Sequence, residues 1–366
     1  MTTRPQTASV IGRRPILVTG GAGFIGANLA DRLALKGHDV LVFDALRRPG
    51  VDRNLGWLRQ RHPSRVSAVI ADVRDEADVS AAVQGSSAVF HLAAQVAVTT
   101  SLQDPLDDFT TNLSGTIQIL EAIRRCGQRI PLLFASTNKV YGNLNDLALR
   151  CEPEGYLPVD PALRRFGIDE SQPLSFRTPY GCSKGAADQY VLEWCRTYAI
   201  PSVVFRMSCI YGPRQMGTED QGWLAHFVLS SVQRRPVTIY GDGNQVRDIL
   251  HVEDAVDAYI AAWETIGAVA GHAFNLGGGP ANAVSLRQVL DHIATSTGHR
   301  TPCNEGPWRD EDQRYYVSDT RKVRAALGLA EPISWRRGVL DLIDWFSERS
   351  TDAAKSPPLR SADNVL

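Results

Sequence analysis

A glycine-rich turn between a predicted strand and a predicted helix constrains the fold of this chain more than any other feature. The turn reads TGGAGFIG from Thr19 to Gly26 and follows the apolar run PILVT. Glycines here permit a tight turn, a close approach of the backbone to a pyrophosphate, and close packing of helix on strand. The motif predicts a dinucleotide site that includes Gly20, Gly23, Phe24, Ile25 and Gly26.

Short apolar runs alternate with helix-like segments over the first half of the chain. These runs span residues 15–20, 39–44, 65–72, 88–94, 131–137 and 201–207. Runs that are apolar on both faces and separated by helices are typical of a parallel sheet with helices on both sides. We therefore expect an α/β fold, with a Rossmann-type doubly wound parallel sheet and a smaller C-terminal α/β lobe for substrate.

The length of 366 residues favours two joined lobes over one compact domain. We predict a nucleotide-binding domain at 15–208 plus about 244–265, a smaller lobe at 209–243 plus 266–350, and flexible polar tails at 1–14 and 351–366. Residues 143–179 are a proline-rich insertion, and the sequence leaves open whether it is a loop close to the site or a peripheral elaboration.

Charge and composition exclude several classes of protein. Lys and Arg total 39 against 40 Asp and Glu, which argues against binding along a nucleic-acid backbone. No apolar run approaches the ~18–20 residues of a membrane span, and no signal core follows the first residues. The six cysteines are scattered without C-x-x-C pairs, which suits a reducing compartment. We expect a cytoplasmic protein without a membrane, nucleic-acid or metal partner.

Two acidic residues end predicted strands near the glycine turn. Asp44 is placed to accept hydrogen bonds from ribose hydroxyls and to repel a 2′-phosphate, which favours NAD over NADP. Arg47 and Arg48 weaken that preference slightly, although solvated surface charges explain them equally well. Asp72 would meet the adenine edge, or it would instead cap a helix or stabilise a turn.

Tyr180 and Lys184 lie four residues apart in PYGCSK, on one face of a predicted helix. An unperturbed tyrosine, with a pKa of about 10, is a poor base at neutral pH. A nearby ammonium and a nicotinamide cation both favour phenolate and should lower that pKa. The pair therefore predicts proton transfer by the Tyr180 phenol.

These motifs make the chain resemble the extended short-chain dehydrogenase/reductase superfamily over about residues 15–349. Further strings that carry the resemblance are HLAA (91–94), TNLSGT around Asn112, YGPRQ (211–215), QVRDILHVED (245–254) and FNLGG (274–278). The resemblance implies that Thr137 shares the substrate hydroxyl with Tyr180, that Lys184 also holds the nicotinamide ribose, and that Asn112 orients the Lys184 region. It also implies cofactor contacts from Val73, Leu92, Ala93, Ala94 and Asn112.

More specific strings are similar to the CDP-paratose 2-epimerase family. They are STNKVYG (136–142), PYGCSKGAADQY (179–190), DQGW (220–223), QVRD (245–248), DQRYYVSD (312–319) and, in the insertion, DESQPLSF (169–176). Sugar-nucleotide 4,6-dehydratases of the superfamily follow the Ser or Thr with Asp-Glu, whereas Asn138 and Lys139 stand here. Because neither side chain is a carboxylate, elimination of water is disfavoured.

The resemblance implies an NAD-dependent epimerase that inverts C2 of a CDP-linked deoxyhexose through a transient 2-keto sugar. Hydride would return to the opposite face after the sugar turns. Two alternatives stay open: a 4-epimerase or other sugar-nucleotide oxidoreductase, and a non-catalytic NAD-binding scaffold.

Substrate contacts follow from the same resemblance. Arg247 and Arg309 would hold the diphosphate, with Asn138 and Gln221 as further contacts; Arg214 and Arg314 are weaker candidates, and a surface salt bridge is the alternative for each arginine. Cys209 stands where many relatives have an Asn that binds the diphosphate, which leaves one phosphate contact unidentified. Trp223, Tyr240 or Trp308 would stack on the base unless they belong to the core.

Relatives in the superfamily pair through a four-helix bundle. The stretches 104–126 and 180–198 correspond to the helices involved, so we expect a homodimer.

Overall fold

Seven parallel strands form the central sheet of the computed structural model, which describes residues 14–355. The strands are β1 (Ile16–Thr19), β2 (Val40–Phe43), β3 (Val66–Val69), β4 (Ala88–His91), β5 (Leu132–Thr137), β8 (Ser202–Met207) and β12 (His272–Leu276). Their order across the sheet is β12-β8-β5-β4-β1-β2-β3. The strands are apolar on both faces because both faces are buried. The sheet confirms the predicted α/β architecture.

Helices cover both faces of this sheet. They are α1 (Phe24–Leu35), α2 (Val51–Arg61), α3 (Glu76–Gln84), α4 (Val98–Gln103), α5 (Pro105–Phe109), α6 (Gly115–Arg125), α8 (Thr178–Tyr198), α10 (Val252–Glu264) and α11 (Ile266–Val269). Apolar residues of α1, α2 and α10 pack in one core, and those of α3, α6 and α8 pack in another. A π-helical turn, Thr110–Ser114, joins α5 to α6.

A smaller lobe lies beyond the carboxyl ends of the strands. Its main sheet consists of β9 (Cys209–Tyr211), β11 (Val246–His251), β13 (Ala283–Ser285) and β15 (Tyr315–Tyr316), and β10 (Val237–Tyr240) pairs with β14 (Cys303–Gly306). Its helices are α9 (Trp223–Val232), α12 (Leu286–Thr297) and α14 (Trp335–Lys355), whereas α13 (Arg321–Leu327) packs against β12 and α10 of the large domain. Residues of α9, α12 and α14 share one apolar core, which gives this lobe a hydrophobic centre of its own.

The predicted lobe boundaries need correction at α11 and α13, which pack in the core of the large domain, and at two strands. β12 was expected in the smaller lobe, but it pairs in register with β8 of the large sheet. This pairing satisfies backbone groups of β8 that would otherwise lie at an open sheet edge. β11 was expected in the large domain, but it pairs with β9, β13 and β15. The remainder of the division stays a prediction.

The two predicted tails are only partly within the structure. Residues 1–13 and 356–366 lie outside the described residues. Helix α14 continues through 351–355, so those residues are helical where we predicted the start of a tail.

The insertion at 143–179 folds against the smaller lobe. It forms a hairpin of β6 (Leu149–Glu152) and β7 (Gly155–Pro158), followed by α7 (Pro161–Phe166). Leu144 and Ile168 of the insertion are buried with Tyr141 and Tyr316. The insertion is thus a packed element, and its last residues reach the site described below.

Two kinds of feature are absent from the part of the chain that the structure describes. Between residues 14 and 355, none of the helices combines the length and the apolar character needed to cross a membrane. The same residues contain no group of three His, Cys, Asp or Glu side chains placed to hold a metal ion.

Candidate active site

The glycine turn after β1 has the geometry of an anion cradle. Gly20 has a φ of 65°, and a Cβ added there would lie 2.7 Å from the backbone nitrogen of Ala93. A Cβ on Gly26 would lie 2.2 Å from the carbonyl oxygen of Gly20. Gly23 precedes α1 and no side chain caps the helix, so the N–H groups of its first turn remain available to a ligand. The turn therefore fits a pyrophosphate.

A cavity of about 500 Å³ opens from this turn along the carboxyl ends of the strands. It gathers the predicted cofactor residues Gly20, Gly23, Phe24, Ile25, Gly26, Asp44, Asp72, Val73, Leu92, Ala93, Ala94, Tyr180 and Lys184. We call it the cofactor cavity. These residues come from five separate segments of the chain, and the parallel sheet brings them to one edge.

The two strand-end aspartates are held in different ways. Asp44 accepts hydrogen bonds from the backbone N–H groups of Ala22 (3.0 Å) and Leu46 (2.8 Å), and burial raises its pKa. Asp72 pairs with Arg74 at 2.6 Å, and this partner lowers the pKa of the Asp72 carboxyl. The Asp72 carboxylate also accepts a hydrogen bond from the backbone N–H of Arg74, which is the predicted turn role. The alternative role as a helix cap belongs to Asp75, which caps α3.

The two arginines after Asp44 are more than solvated surface charges. Both line the cofactor cavity. Arg47 pairs with Asp107 at 3.0 Å, and Arg48 donates to Gln221 of the smaller lobe. Thr218 and Asp220 from the same lobe also line this cavity, and sequence reasoning did not identify either of them.

The predicted catalytic residues meet where β5 ends beside α8. Tyr180 and Lys184 are 8% and 3% exposed, and Thr137 is 7% exposed. The Tyr180 backbone N–H, in the first turn of α8, donates to Ser101 Oγ at 3.2 Å. The Lys184 ammonium lies 4.2 Å from the ring centroid of Phe134. The sheet end and the helix thus fix the phenol and the ammonium beside the Thr137 hydroxyl.

In the chain by itself the pKa of Tyr180 is raised, and the expected lowering stays a prediction for the enzyme with the nicotinamide cation bound. Burial raises the pKa of Tyr180 to about 12, and a hydrogen bond with Thr137 offsets only part of that rise. Burial also lowers the pKa of Lys184 to about 7, although the carboxylates of Asp108 and Asp188 oppose this. Desolvation disfavours the charged form of each group, so both tend toward neutrality.

The low pKa of Lys184 predicts a stability cost that depends on pH. Between about 7 and the ordinary 10.5, the unfolded chain binds more protons than the folded chain, so wild-type stability rises with pH. We expect Lys184→Met to be more stable than wild type at pH 6 and the difference to shrink toward pH 10. Urea unfolding at several pH values measures this; Lys36→Met, which removes an exposed lysine, is the control. A gain independent of pH would contradict the prediction.

Asn112 does not line the cofactor cavity, so the predicted direct contact is wrong. Its side chain is 1% exposed and accepts from the Gln95 N–H at 2.9 Å. Its amide donates to Gln95 O at 3.0 Å and to Ser183 Oγ at 3.2 Å. Because Ser183 precedes Lys184, these bonds match the predicted orienting role.

A second cavity of about 500 Å³ lies between the lobes and shares Tyr180 with the first. Thr137, Asn138, Gln221 and Arg309 line it, as predicted for substrate contacts. The aromatic candidates Trp223, Tyr240 and Trp308 line it too, together with Cys209 and, from the end of the insertion, Arg177 and Thr178. We call it the substrate cavity. Because the cavities meet at Tyr180, this phenol can contact groups bound in either one.

The predicted phosphate ligands differ in position. Arg309 lines the substrate cavity, donates to Glu219 O (3.0 Å) and Asp220 Oδ1 (3.2 Å), and lies 4.1 Å over the Tyr240 ring. Arg247 does not line the cavity; it is 6% exposed and pairs with Asp312 at 2.8 Å. The direct contact predicted for Arg247 is therefore not observed, and its partner Asp312 lines the cavity instead. The weaker candidates Arg214 and Arg314 also lie outside the cavity lining.

Sequence reasoning missed several charged residues of the substrate cavity, Lys139 and Asp312 among them. Lys139 and Asp312 both line it, and their side chains lie 3.4 Å apart. Lys139 was noted only as a residue that is not a carboxylate. The position of Lys139 directly after the predicted contact Asn138 could have identified it. No neighbouring residue in the sequence indicates that Asp312 lies in the wall of the same cavity.

We expect Gly26→Ala to abolish dinucleotide binding, because its Cβ would meet rigid backbone at 2.2 Å. Gly56→Ala in α2 is the matched control, since nothing lies within 4 Å of a Cβ there. Calorimetric titration with NAD, with circular dichroism to check the fold, measures the effect. NAD affinity within a fewfold of wild type in Gly26→Ala would contradict the assigned cradle.

Comparison with known proteins agrees with this geometry. The NAD dependent epimerase/dehydratase family matches residues 16–277. CDP-paratose 2-epimerase from Salmonella typhi is 39% identical over 339 residues, 91% of this chain and 99% of that protein. A dTDP-glucose 4,6-dehydratase from Streptomyces niveus is 30% identical over 365 residues, 96% of this chain and 97% of that protein. UDP-glucose 4-epimerase from Thermus thermophilus, solved in complex with NAD, superposes with a TM-score of 0.76 at 30% identity, covering 91% of this chain and 98% of that one.

These matches extend over nearly the whole chain and include both lobes. They confirm the resemblance drawn from the glycine turn and from the Tyr180–Lys184 pair, and they favour an enzyme over a non-catalytic scaffold. The chain belongs to the NAD dependent epimerase/dehydratase family and is an enzyme that uses NAD.

Proposed function

We propose that this enzyme inverts C2 of a nucleotide-activated sugar, a CDP-linked deoxyhexose being the favoured substrate. The observation that carries the proposal is the 39% identity to CDP-paratose 2-epimerase over 91% of the chain. The substrate cavity supports it, because the cavity meets the cofactor cavity at Tyr180 and has aromatic and cationic side chains suited to a nucleotide diphosphate.

The chain's own residues account for the proton movements. Tyr180 removes the proton from the C2 hydroxyl and returns it after inversion, and the Thr137 hydroxyl hydrogen-bonds the same substrate oxygen. NAD, when bound, supplies the acceptor and then the donor of the C2 hydride, together with a positive charge on its oxidised ring. Because burial raises the pKa of Tyr180 to about 12, the phenol needs positive charge beside it in order to ionise. Lys184, one helical turn along α8, is the chain's own source of that charge when protonated, and burial works against its protonation.

Dehydration is disfavoured by the residues after Thr137. Asn138 donates to Gln313 at 3.0 Å, and Lys139 offers an ammonium. The carboxylate of Asp312 does line the cavity, but Lys139 and Arg247 lower its pKa, so it is not a proton donor at neutral pH.

Inversion at C4 is the second candidate, favoured by the similarity to UDP-glucose 4-epimerase from Thermus thermophilus. The two reactions share the Tyr180 chemistry and differ in which sugar carbon faces it.

A panel of CDP-, UDP-, GDP-, ADP- and dTDP-sugars with NMR detection of the inverted centre tests the proposal. We expect inversion at C2 without deuterium incorporation there in D₂O, since the hydride returns within the site. Inversion at C4, or a 4-keto-6-deoxy product, would replace the proposal. Deuterium at the inverted carbon would exclude internal hydride return.

We also propose a cytoplasmic homodimer that pairs through α5, α6 and α8. Leu106 and Phe109 of α5 are 69% and 48% exposed, and Tyr190 and Tyr198 of α8 are 43% and 47% exposed. Such a concentration of exposed apolar side chains supports an interface on this face. Sedimentation at micromolar concentration should show a dimer, and Leu106→Asp should shift it toward monomer. A monomeric wild type would contradict the proposal.

A further inference from the structure

Two cations meet one carboxylate in the wall of the substrate cavity. Lys139 Nζ lies 3.4 Å from Asp312 Oδ1, and Arg247 Nη2 lies 2.8 Å from the same oxygen. The side chains of Lys139 and Asp312 are 23% and 25% exposed, and that of Arg247 is 7% exposed. One carboxylate cannot neutralise two cations, and because Arg247 is buried and Lys139 is half-buried, water screens the remaining positive charge only in part.

The excess charge lies at the catalytic end of the cavity. Lys139 is two positions after Thr137, and its backbone N–H donates to Thr137 Oγ1 at 3.2 Å. Lys139, Thr137 and Tyr180 all line the substrate cavity. An anion bound by the Lys139 ammonium would therefore lie within one lysine side-chain length of Thr137, on the cavity wall that also includes Tyr180.

Within residues 14–355, none of the other charged side chains that line the cavity forms an ion pair with Lys139 or Arg247. Arg309 has its own partner in Asp220, at 3.2 Å, among the aromatic side chains. Asp310 and Glu311 are exposed. Burial lowers the pKa of Lys139, and the negative charge of Asp312 opposes part of that shift. A bound anion would likewise stabilise the protonated form of Lys139.

The chemistry of a nucleotide sugar links this position to the reacting carbon. The diphosphate is attached to the anomeric carbon, C1, which is bonded directly to C2 and lies across the ring from C4. An enzyme that oxidises C2 must hold the sugar-linked phosphate next to its catalytic hydroxyls. An enzyme that oxidises C4 must hold that phosphate a ring's width away. A lysine ammonium is a compact charge well suited to a phosphate oxygen.

We propose that Lys139 binds the sugar-linked phosphate of the substrate beside Thr137, and that this phosphate displaces the Asp312 carboxylate as the partner of the Lys139 ammonium. This inference rests on the proposed function and adds where the diphosphate lies. It also supplies the phosphate contact that Cys209 leaves unidentified, since Cys209 lines the same cavity and has no charge to offer.

The test compares diphosphates with their own nucleosides as probes, so it does not depend on any turnover. CDP, UDP, GDP, ADP and dTDP are first titrated into wild type by calorimetry. The diphosphate that binds most tightly and the corresponding nucleoside are then used as the two probes for every variant. We expect Lys139→Met to weaken binding of that diphosphate about tenfold to a hundredfold while binding of the nucleoside stays unchanged. Lys139→Arg should recover most of the loss. Lys36→Met, which removes an exposed lysine in a surface salt bridge, should bind both probes as wild type does.

A second variant covers the case in which Lys139→Met does not fold. Asp312→Asn keeps both cations and removes their shared carboxylate, so it should bind the diphosphate at least as tightly as wild type. Diphosphate binding ten times weaker in Asp312→Asn would overturn the inference. So would an equal loss of diphosphate and nucleoside in Lys139→Met, or a fall in kcat with diphosphate affinity unchanged. Failure of the proposed function would instead appear as the absence of C2 inversion in wild type, whatever the probes show.

Discussion

Replacing Tyr180 with phenylalanine will lower kcat by about 10²–10⁴-fold, the usual contribution of a positioned acid–base group. The substitution removes one oxygen, and it leaves the ring, which is 8% exposed, in place. Thr137 cannot replace the phenol, because a threonine hydroxyl ionises far less readily. NAD and nucleotide diphosphate should still bind, since the glycine turn and the wall containing Lys139 are unchanged. The loss should therefore appear in kcat rather than in KM.

The rate is measured by NMR with the sugar nucleotide that wild type inverts. Tyr190→Phe is the matched control, because Tyr190 is on the same helix but 43% exposed and outside both cavities. Turnover of Tyr180→Phe within tenfold of wild type would remove the phenol from the mechanism. A parallel loss of NAD binding would show instead that the ring oxygen helps to build the cofactor cavity.

Most strands of the large sheet could be predicted from the sequence, because a parallel strand that is buried on both faces consists of a continuous run of apolar residues. β12 was the exception. It comes after α10 and α11, and pairing with β8 is decided by tertiary packing rather than by anything in the run from His272 to Leu276. β11 was assigned to the wrong lobe for the same reason, since the sequence of an apolar strand does not indicate which of the two sheets the strand joins.

The cofactor cavity was more predictable than the substrate cavity. The glycine turn, Asp44 and the Tyr180–Lys184 pair are local patterns, each placed by one strand end or one helix face. Lys139 and Asp312 are 173 positions apart, and their contact depends on how the two lobes close. The raised pKa of Tyr180 was also beyond sequence, since it follows from burial that only the fold determines.

Replacing Arg206 with methionine will cost about 3–5 kcal/mol of unfolding free energy, the largest stability effect we expect. Arg206 of β8 donates twice to Asp188 of α8, at 2.9 and 3.0 Å, and once to Tyr141 Oη at 3.1 Å. Asp188 is fully buried and also accepts from Ser136 Oγ at 2.8 Å. Removing the guanidinium leaves a buried carboxylate without its cation, and that uncompensated charge is the source of the cost.

The same network joins the end of β5 to α8, and so it also fixes Thr137 relative to Tyr180. Urea unfolding of Arg206→Met should be compared with that of Lys36→Met, which breaks an exposed pair and should cost less than about 1 kcal/mol. Because the cost comes from the unpaired carboxylate rather than from lost attraction, replacing both partners, as in Arg206→Met with Asp188→Leu, should recover a large part of it. If the double variant is no more stable than Arg206→Met, the ion pair contributes through packing and position, and Asp188 is not the source of the instability.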